Sequence, residues 1–180
     1  RRVGVATTPV SEPSSLLVER GMAVGLPVGD STAAAQSILD AIRADEVRPG
    51  DGVVVRNVGP VGAPGMPEMV FLTVQLQGRG LGKDVALITD GRFSGVSHGI
   101  LVGHISPEAA KGGPIGIVRD RDPIVLDSGA RTLDLVVHEE EIARRQAARE
   151  RAEPLLRARR GSVLDKYARL VSSAHYGCVL

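Results

Sequence analysis

Two phenylalanines, two tyrosines and no tryptophan leave this chain without large rings to fill an interior. The core has to be packed from Val, Ile, Leu and Ala, and Cβ-branched side chains favour strands. A strand-rich core is the consequence. With 180 residues, 43% of them hydrophobic, there is material for one domain with a sizeable core, and two domains would strain it.

Charge excludes several functions. Twenty-two basic against 21 acidic residues give a formal net charge of +1, so no overall field steers the chain toward nucleic acid or a membrane surface. The bases between Arg144 and Arg160 are interleaved with Glu150 and Glu153, which reads as the solvated face of a helix. Cys178 is the sole cysteine. It can form no internal disulfide and cannot by itself hold zinc or an iron–sulfur cluster. No apolar run approaches the ~20 residues of a membrane span. Arg1-Arg2-Val3 opens no signal peptide and, lacking Met, no evident natural start. The expectation is a cytoplasmic fragment of a longer protein.

Arg1 to about Asp30 has no clear period and reads as loop or short strand. Asp30-Ser31-Thr32 then offers caps for a helix over Ala33–Ala44, where Ala34, Ile38, Ala41 and Ile42 recur at helical spacing. Val53–Arg56 and Val85–Thr89 are short runs of the buried-strand type. A helix over Glu68–Gln77 begins after Pro67, with Met69, Leu72, Thr73 and Leu76 on one face. Three further strands are predicted at Pro114–Arg119, Pro123–Leu126 and Thr132–Val136, suggesting a sheet that closes on itself. His138–Arg160 is helical and charged, interrupted by Pro154, and a shorter amphipathic helix covers Val163–Val171.

Two segments carry the chemistry. In Gly59-Pro60-Val61-Gly62-Ala63-Pro64-Gly65-Met66-Pro67-Glu68, three glycines and three prolines impose an unusual backbone path, sensible where one side chain must be placed accurately. Glu68 is that side chain: a hard cation such as Mg²⁺ takes carboxylate oxygens, so Glu68 could give one ligand while another domain gives the rest. As a plain structural residue, Glu68 is a carboxylate at a helix start, favoured by the dipole. The second segment, Thr89-Asp90-Gly91-Arg92-Phe93-Ser94-Gly95-Val96-Ser97-His98-Gly99, turns sharply at a strand end and exposes Ser94. It is not the Gly-x-Ser-x-Gly elbow of hydrolases. A serine hydroxyl is a poor base unless a metal or adjacent dipoles stabilise its alkoxide, and a turn serine capping the next segment is the alternative. His98 and His104 lie six apart, off helical spacing, and read as structural rather than as a metal pair. No Gly-x-x-x-x-Gly-Lys pattern supports nucleotide binding.

The two segments, with Gly103-His104-Ile105-Ser106-Pro107-Glu108-Ala109, Gly112-Gly113-Pro114-Ile115 and the tail Leu164–Ala174, resemble in order and spacing the dihydroxy-acid dehydratase and phosphogluconate dehydratase family. The resemblance runs from about Asp45 to Ala174.

It implies the swivelling β/β/α-type domain of a large homodimeric hydro-lyase: an α/β, β-rich, closed barrel flanked by helices. Residues 1–44 are then a divergent opening, 45–137 the barrel core with the active-site loops, and 138–180 the C-terminal helices and tail, all one domain. The N-terminal dehydratase domain would carry the iron–sulfur cluster and most Mg²⁺ ligands. By motif position Glu68 matches the Mg²⁺ ligand of this domain and Ser94 the serine that, as alkoxide, takes the proton beside the substrate carboxylate. Ser97 and Arg92 are the expected substrate contacts. The substrates implied are 2,3-dihydroxy or sugar acids, converted to 2-keto acids, with branched-chain amino acid biosynthesis or carbohydrate acid metabolism as the setting. Two rivals remain: a non-catalytic barrel used for binding, and a separately encoded swivelling subunit like that of isopropylmalate isomerase.

Overall fold

The computed structural model describes residues 15–25, 38–150 and 161–180. Strand β1 is Ser15–Gly25; helix α1 covers residues 38–43; β2 is Asp51–Arg56; α2 is Val70–Gly78; β3 is Ala86–Thr89; and β4 is Ile100–Val102. Then come β5 (Asp122–Asp127), β6 (Thr132–Leu135), α3 (Glu139–Glu150) and α4 (Val163–Leu170). Short 3-10 turns form at Ala109–Lys111, Pro114–Ile117 and Ala174–Tyr176.

The strands make one six-stranded sheet in the order β4-β3-β2-β1-β5-β6. β4, β3, β2 and β1 run parallel, while β5 is antiparallel to β1 and β6 to β5. Both faces of its centre are covered, as parallel strands require. Alternation in β2 and β3 divides the residues cleanly: Val53, Val55 and Leu87 pack with Ile38, Ile42, Leu72 and Leu76 of α1 and α2. Val54, Ala86 and Ile88 face the other way, onto Ile105, Ile115, Val118, Ile124 and Leu133. Val53, Val54 and Leu87 are wholly buried, each worth ~1.5–3 kcal/mol of hydrophobic transfer.

The α/β class is as expected, but the closed barrel is not formed: β4 and β6 are unpaired edges among the described residues. The reason lies between β4 and β5. Pro114–Ile117, within the predicted strand Pro114–Arg119, is a 3-10 turn with Pro at its start. Proline cannot donate to a ladder. Instead Ile115, Ile117 and Val118 are buried, and Ile115 and Val118 pack with Val54 and Ile88 on one face of the sheet. β1 is likewise longer than the loop or short strand read from its sequence, and it is central. Its register against β5 shifts between Val18 and Gly21, and such a bulge erases the period-2 signal. The helix read over Glu68–Gln77 begins two residues later, at Val70. Of the helices read over Ala33–Ala44 and His138–Arg160, residues 33–37 and 151–160 lie outside the described residues.

Helix α3 has no buried residue, yet two of its arginines fix it to the sheet. Arg145 pairs with Asp122 at 2.5 Å, both side chains 9% exposed. Arg149 donates to Gly116 O and Ala109 O at 2.6 Å each, and to Asn57 Oδ1 at 3.2 Å. Among the described residues no helix is long and apolar enough to cross a membrane.

Candidate active site

β2 and β3 are adjacent and parallel, so the segments that leave them emerge side by side at one end of the sheet, where α/β folds place reactive groups. Asp90 follows β3 directly and is fully buried. Its carboxylate accepts the N–H groups of Asn57 (3.1 Å), Val58 (2.9 Å) and Ala109 (2.9 Å). One side chain thus ties the exit of β2, the exit of β3 and the turn after Glu108. Burial pushes the Asp90 carboxyl above its usual range; the three N–H bonds oppose that rise without cancelling it, and Glu108 nearby adds to it.

Gly91 is close-packed. A Cβ there would lie 2.9 Å from Val58 Cγ2 and 3.2 Å from Pro67 O. That contact lets residues 91–92 run beside the end of the Gly/Pro loop, forming a parallel bridge between Glu68 and Arg92. Met69 N donates to Arg92 O at 3.0 Å, and Arg92 Nε to Met66 O at 2.7 Å. Met66 has a left-handed backbone, φ 47°, after Gly65 at φ 90°, which explains why this loop needs glycine.

The bridge brings Glu68 to Ser94. Ser94 N donates to Glu68 Oε1 at 2.9 Å, and Ser97 Oγ reaches the same oxygen at 3.4 Å. Among the described residues, Glu68 Oε2 accepts no hydrogen bond. Ser94 Oγ is buried and, among the described residues, has no hydrogen-bond partner. Most buried hydroxyls are satisfied, so an orphaned one beside a carboxylate marks this pair as the candidate site. All four residues singled out in the sequence therefore meet here: Glu68, Arg92, Ser94 and Ser97. Arg92 is exposed apart from its hold on Met66.

His98 and His104 are exposed and serve the backbone instead. His98 Nδ1 donates to Val96 O at 2.7 Å, while His104 N donates to Gly91 O at 2.9 Å. Among the described residues no group of three or more His, Cys, Asp or Glu side chains could hold a metal ion. No sequence pattern singles out Asp90 or Glu108 by itself. The one available signal was position, an acid directly after a buried strand and another directly after a proline.

Residues 14–178 match the family model described as Dihydroxy-acid/6-phosphogluconate dehydratase C-terminal. The mitochondrial dihydroxy-acid dehydratase of Saccharomyces cerevisiae is 53% identical over 146 residues, 80% of this chain and 24% of the yeast protein. Dihydroxy-acid dehydratases of a Synechococcus strain (54% over 144 residues) and Flavobacterium psychrophilum (52% over 143) cover 80% and 79% of this chain, and 25% of each relative. The chain spans about a quarter of the length of the curated relatives it matches. The family match begins at residue 14, so the part before Asp45 is included. On this match and these identities, the chain belongs to the dihydroxy-acid/6-phosphogluconate dehydratase family, of which it is the C-terminal domain.

Proposed function

We propose that this domain supplies Ser94 as base and Glu68 as a Mg²⁺ ligand to a hydro-lyase that converts 2,3-dihydroxy or sugar acids to 2-keto acids. The observation that carries this reading is the Ser94 hydroxyl, buried and without a partner among the described residues, beside Glu68. Ser94 Oγ, as alkoxide, takes the proton next to the substrate carboxylate and becomes the hydroxyl, hydroxide leaves the neighbouring carbon, and the resulting enol tautomerises to the keto acid. Ser97 and the exposed Arg92 are placed to orient the substrate acid.

The residues present fit Mg²⁺. Glu68 Oε2 is a hard oxygen donor, and such an ion takes one or two carboxylates and fills its other positions from elsewhere. Bound there, it would offset the negative charge that grows on the substrate carboxylate as the proton leaves. One carboxylate completes a site rather than builds it, so the remaining ligands belong to the N-terminal dehydratase domain, in what we take to be a cytoplasmic homodimer. The iron–sulfur cluster does not fit this chain. Cys178 is its only cysteine, and cysteine-ligated clusters use four. The leaving hydroxide is received outside this domain.

Glu68→Gln in the full-length enzyme tests the metal assignment. A neutral amide is a poorer ligand for a hard cation. The Mg²⁺ concentration for half-maximal rate should rise roughly 10-fold or more, at least what disturbing an outer partner of a metal ligand does, and excess Mg²⁺ should restore part of the rate. An unchanged Mg²⁺ titration would leave Glu68 as no more than the acceptor for the Ser94 amide.

A further inference from the structure

Glu108 is wholly buried, and its carboxylate is satisfied from a part of the chain far away in sequence. Ser173 Oγ donates to Oε2 at 2.7 Å and Ala174 N to Oε1 at 3.2 Å. Both donors belong to the C-terminal tail, which is closed on itself: Ser172 N donates to Val179 O at 2.8 Å, and Val179 N to Ser172 Oγ at 2.9 Å. The tail therefore presents Ser173 from a formed turn.

The other side of Glu108 is the start of the loop that ends in Glu68. A Cβ on Gly59 would lie 2.6 Å from Glu108 Cγ, so loop and side chain are in direct contact and only glycine leaves the room. The next residue, Ala109, is bound through its N–H to Asp90, which also holds Asn57 and Val58. From Asp90 the chain reaches Ser94 in four residues. Glu108 thus stands between the tail and both active-site loops.

Resting on the function proposed above, we infer that Glu108 is a positioning residue that latches the C-terminal tail to the loops bearing Glu68 and Ser94. A buried carboxylate is tolerated only while its donors are present. Without the Ser173 hydroxyl, Glu108 moves toward water or draws water in, and either shift displaces Gly59 and the loop behind it. Substrate contacts made by the rest of the enzyme are untouched. The defect therefore falls mainly on kcat and on Mg²⁺ dependence, with a smaller effect on KM through Arg92, which holds Met66 O of the same loop.

Ser173→Thr and Ser173→Val in the full-length enzyme separate this from a merely structural role, because they differ by a hydroxyl against a methyl group of the same shape. Ser173→Ala, which adds no bulk, is measured beside them. Hydrogen exchange of residues 57–68 should be about tenfold faster in the Val and Ala variants and near wild type in the Thr variant. Turnover should fall about tenfold in the same two variants with KM within about twofold, and half-saturating Mg²⁺ should rise. Equal exchange in the Thr, Val and Ala variants would overturn the latch. The exchange readout needs no catalysis, so it stands even if Ser94→Ala retains turnover and the functional reading falls.

Discussion

Ser94→Ala in the full-length enzyme lowers turnover by about 100-fold or more, the contribution expected of a principal acid–base group, with folding and Mg²⁺ binding through Glu68 preserved. The structure separates the two effects. Among the described residues Ser94 Oγ has no hydrogen-bond partner, so removing it breaks no bond to them and opens only a hydroxyl-sized space. The tie to Glu68 runs through the Ser94 backbone N–H, which alanine keeps. A buried hydroxyl without a partner also carries a desolvation penalty of about 1–3 kcal/mol. The melting temperature should therefore hold or rise while turnover collapses, the exchange of stability for activity seen where a site is built for chemistry. Steady-state rates and a thermal melt on one preparation check both halves. Turnover like wild type would remove Ser94 as the base; lost rate with an equally lost fold would make it structural.

Gly113→Ala has the largest expected effect on the fold. The backbone there, φ −62° and ψ 154°, suits any residue, so the requirement is space rather than conformation. An added Cβ would lie 1.6 Å from Pro107 O and 2.4 Å from Pro107 C. Both are backbone atoms that no rotamer change can move. The turn is otherwise closed by Lys111 N and Gly113 N, which both donate to Glu108 O, at 3.0 and 2.9 Å. Opening it displaces Glu108 and Ala109, hence the donor set of Asp90, and leaves buried carboxylates short of partners. A loss of more than about 4 kcal/mol is expected, in the exceptional range reserved for such failures. Denaturant unfolding of wild type and variant measures it. A loss under about 1 kcal/mol would mean that the turn is not packed as described.

Strands were legible where a short unbroken apolar run marked burial on both faces. Val53–Val55 and Ala86–Thr89 are short, apolar and covered on both faces, and their pattern says so directly. β1 was not, because a register shift interrupts it. For Pro114–Arg119 the apolar run correctly indicated burial but not conformation: Ile115 and Ile117 are buried in a 3-10 turn. Gly116 there leaves room for Arg149, whose Cζ would be 2.5 Å from a Cβ. The charged helix around Arg144 was read as solvated, and its composition hides that Arg145 and Arg149 point inward to Asp122 and to backbone carbonyls. At the site, Glu68 and Ser94 stood out by motif, yet local sequence left each with a structural alternative. Their pairing spans 26 residues, and nothing local encodes a contact at that distance. Asp90 and Glu108 escaped notice because their partners are largely backbone N–H groups, which every residue but proline carries.

The central claim is that this domain presents half of an active site. Its most direct test is 2-keto acid formation from a panel of 2,3-dihydroxy and sugar acids, by the 180-residue chain alone and after addition of the separately produced N-terminal half with its cluster and Mg²⁺. The account predicts no product and no cluster absorbance from the chain alone, and activity on recombination that is lost when the added chain carries Ser94→Ala. Robust keto acid formation by the 180-residue chain without its other half would contradict it.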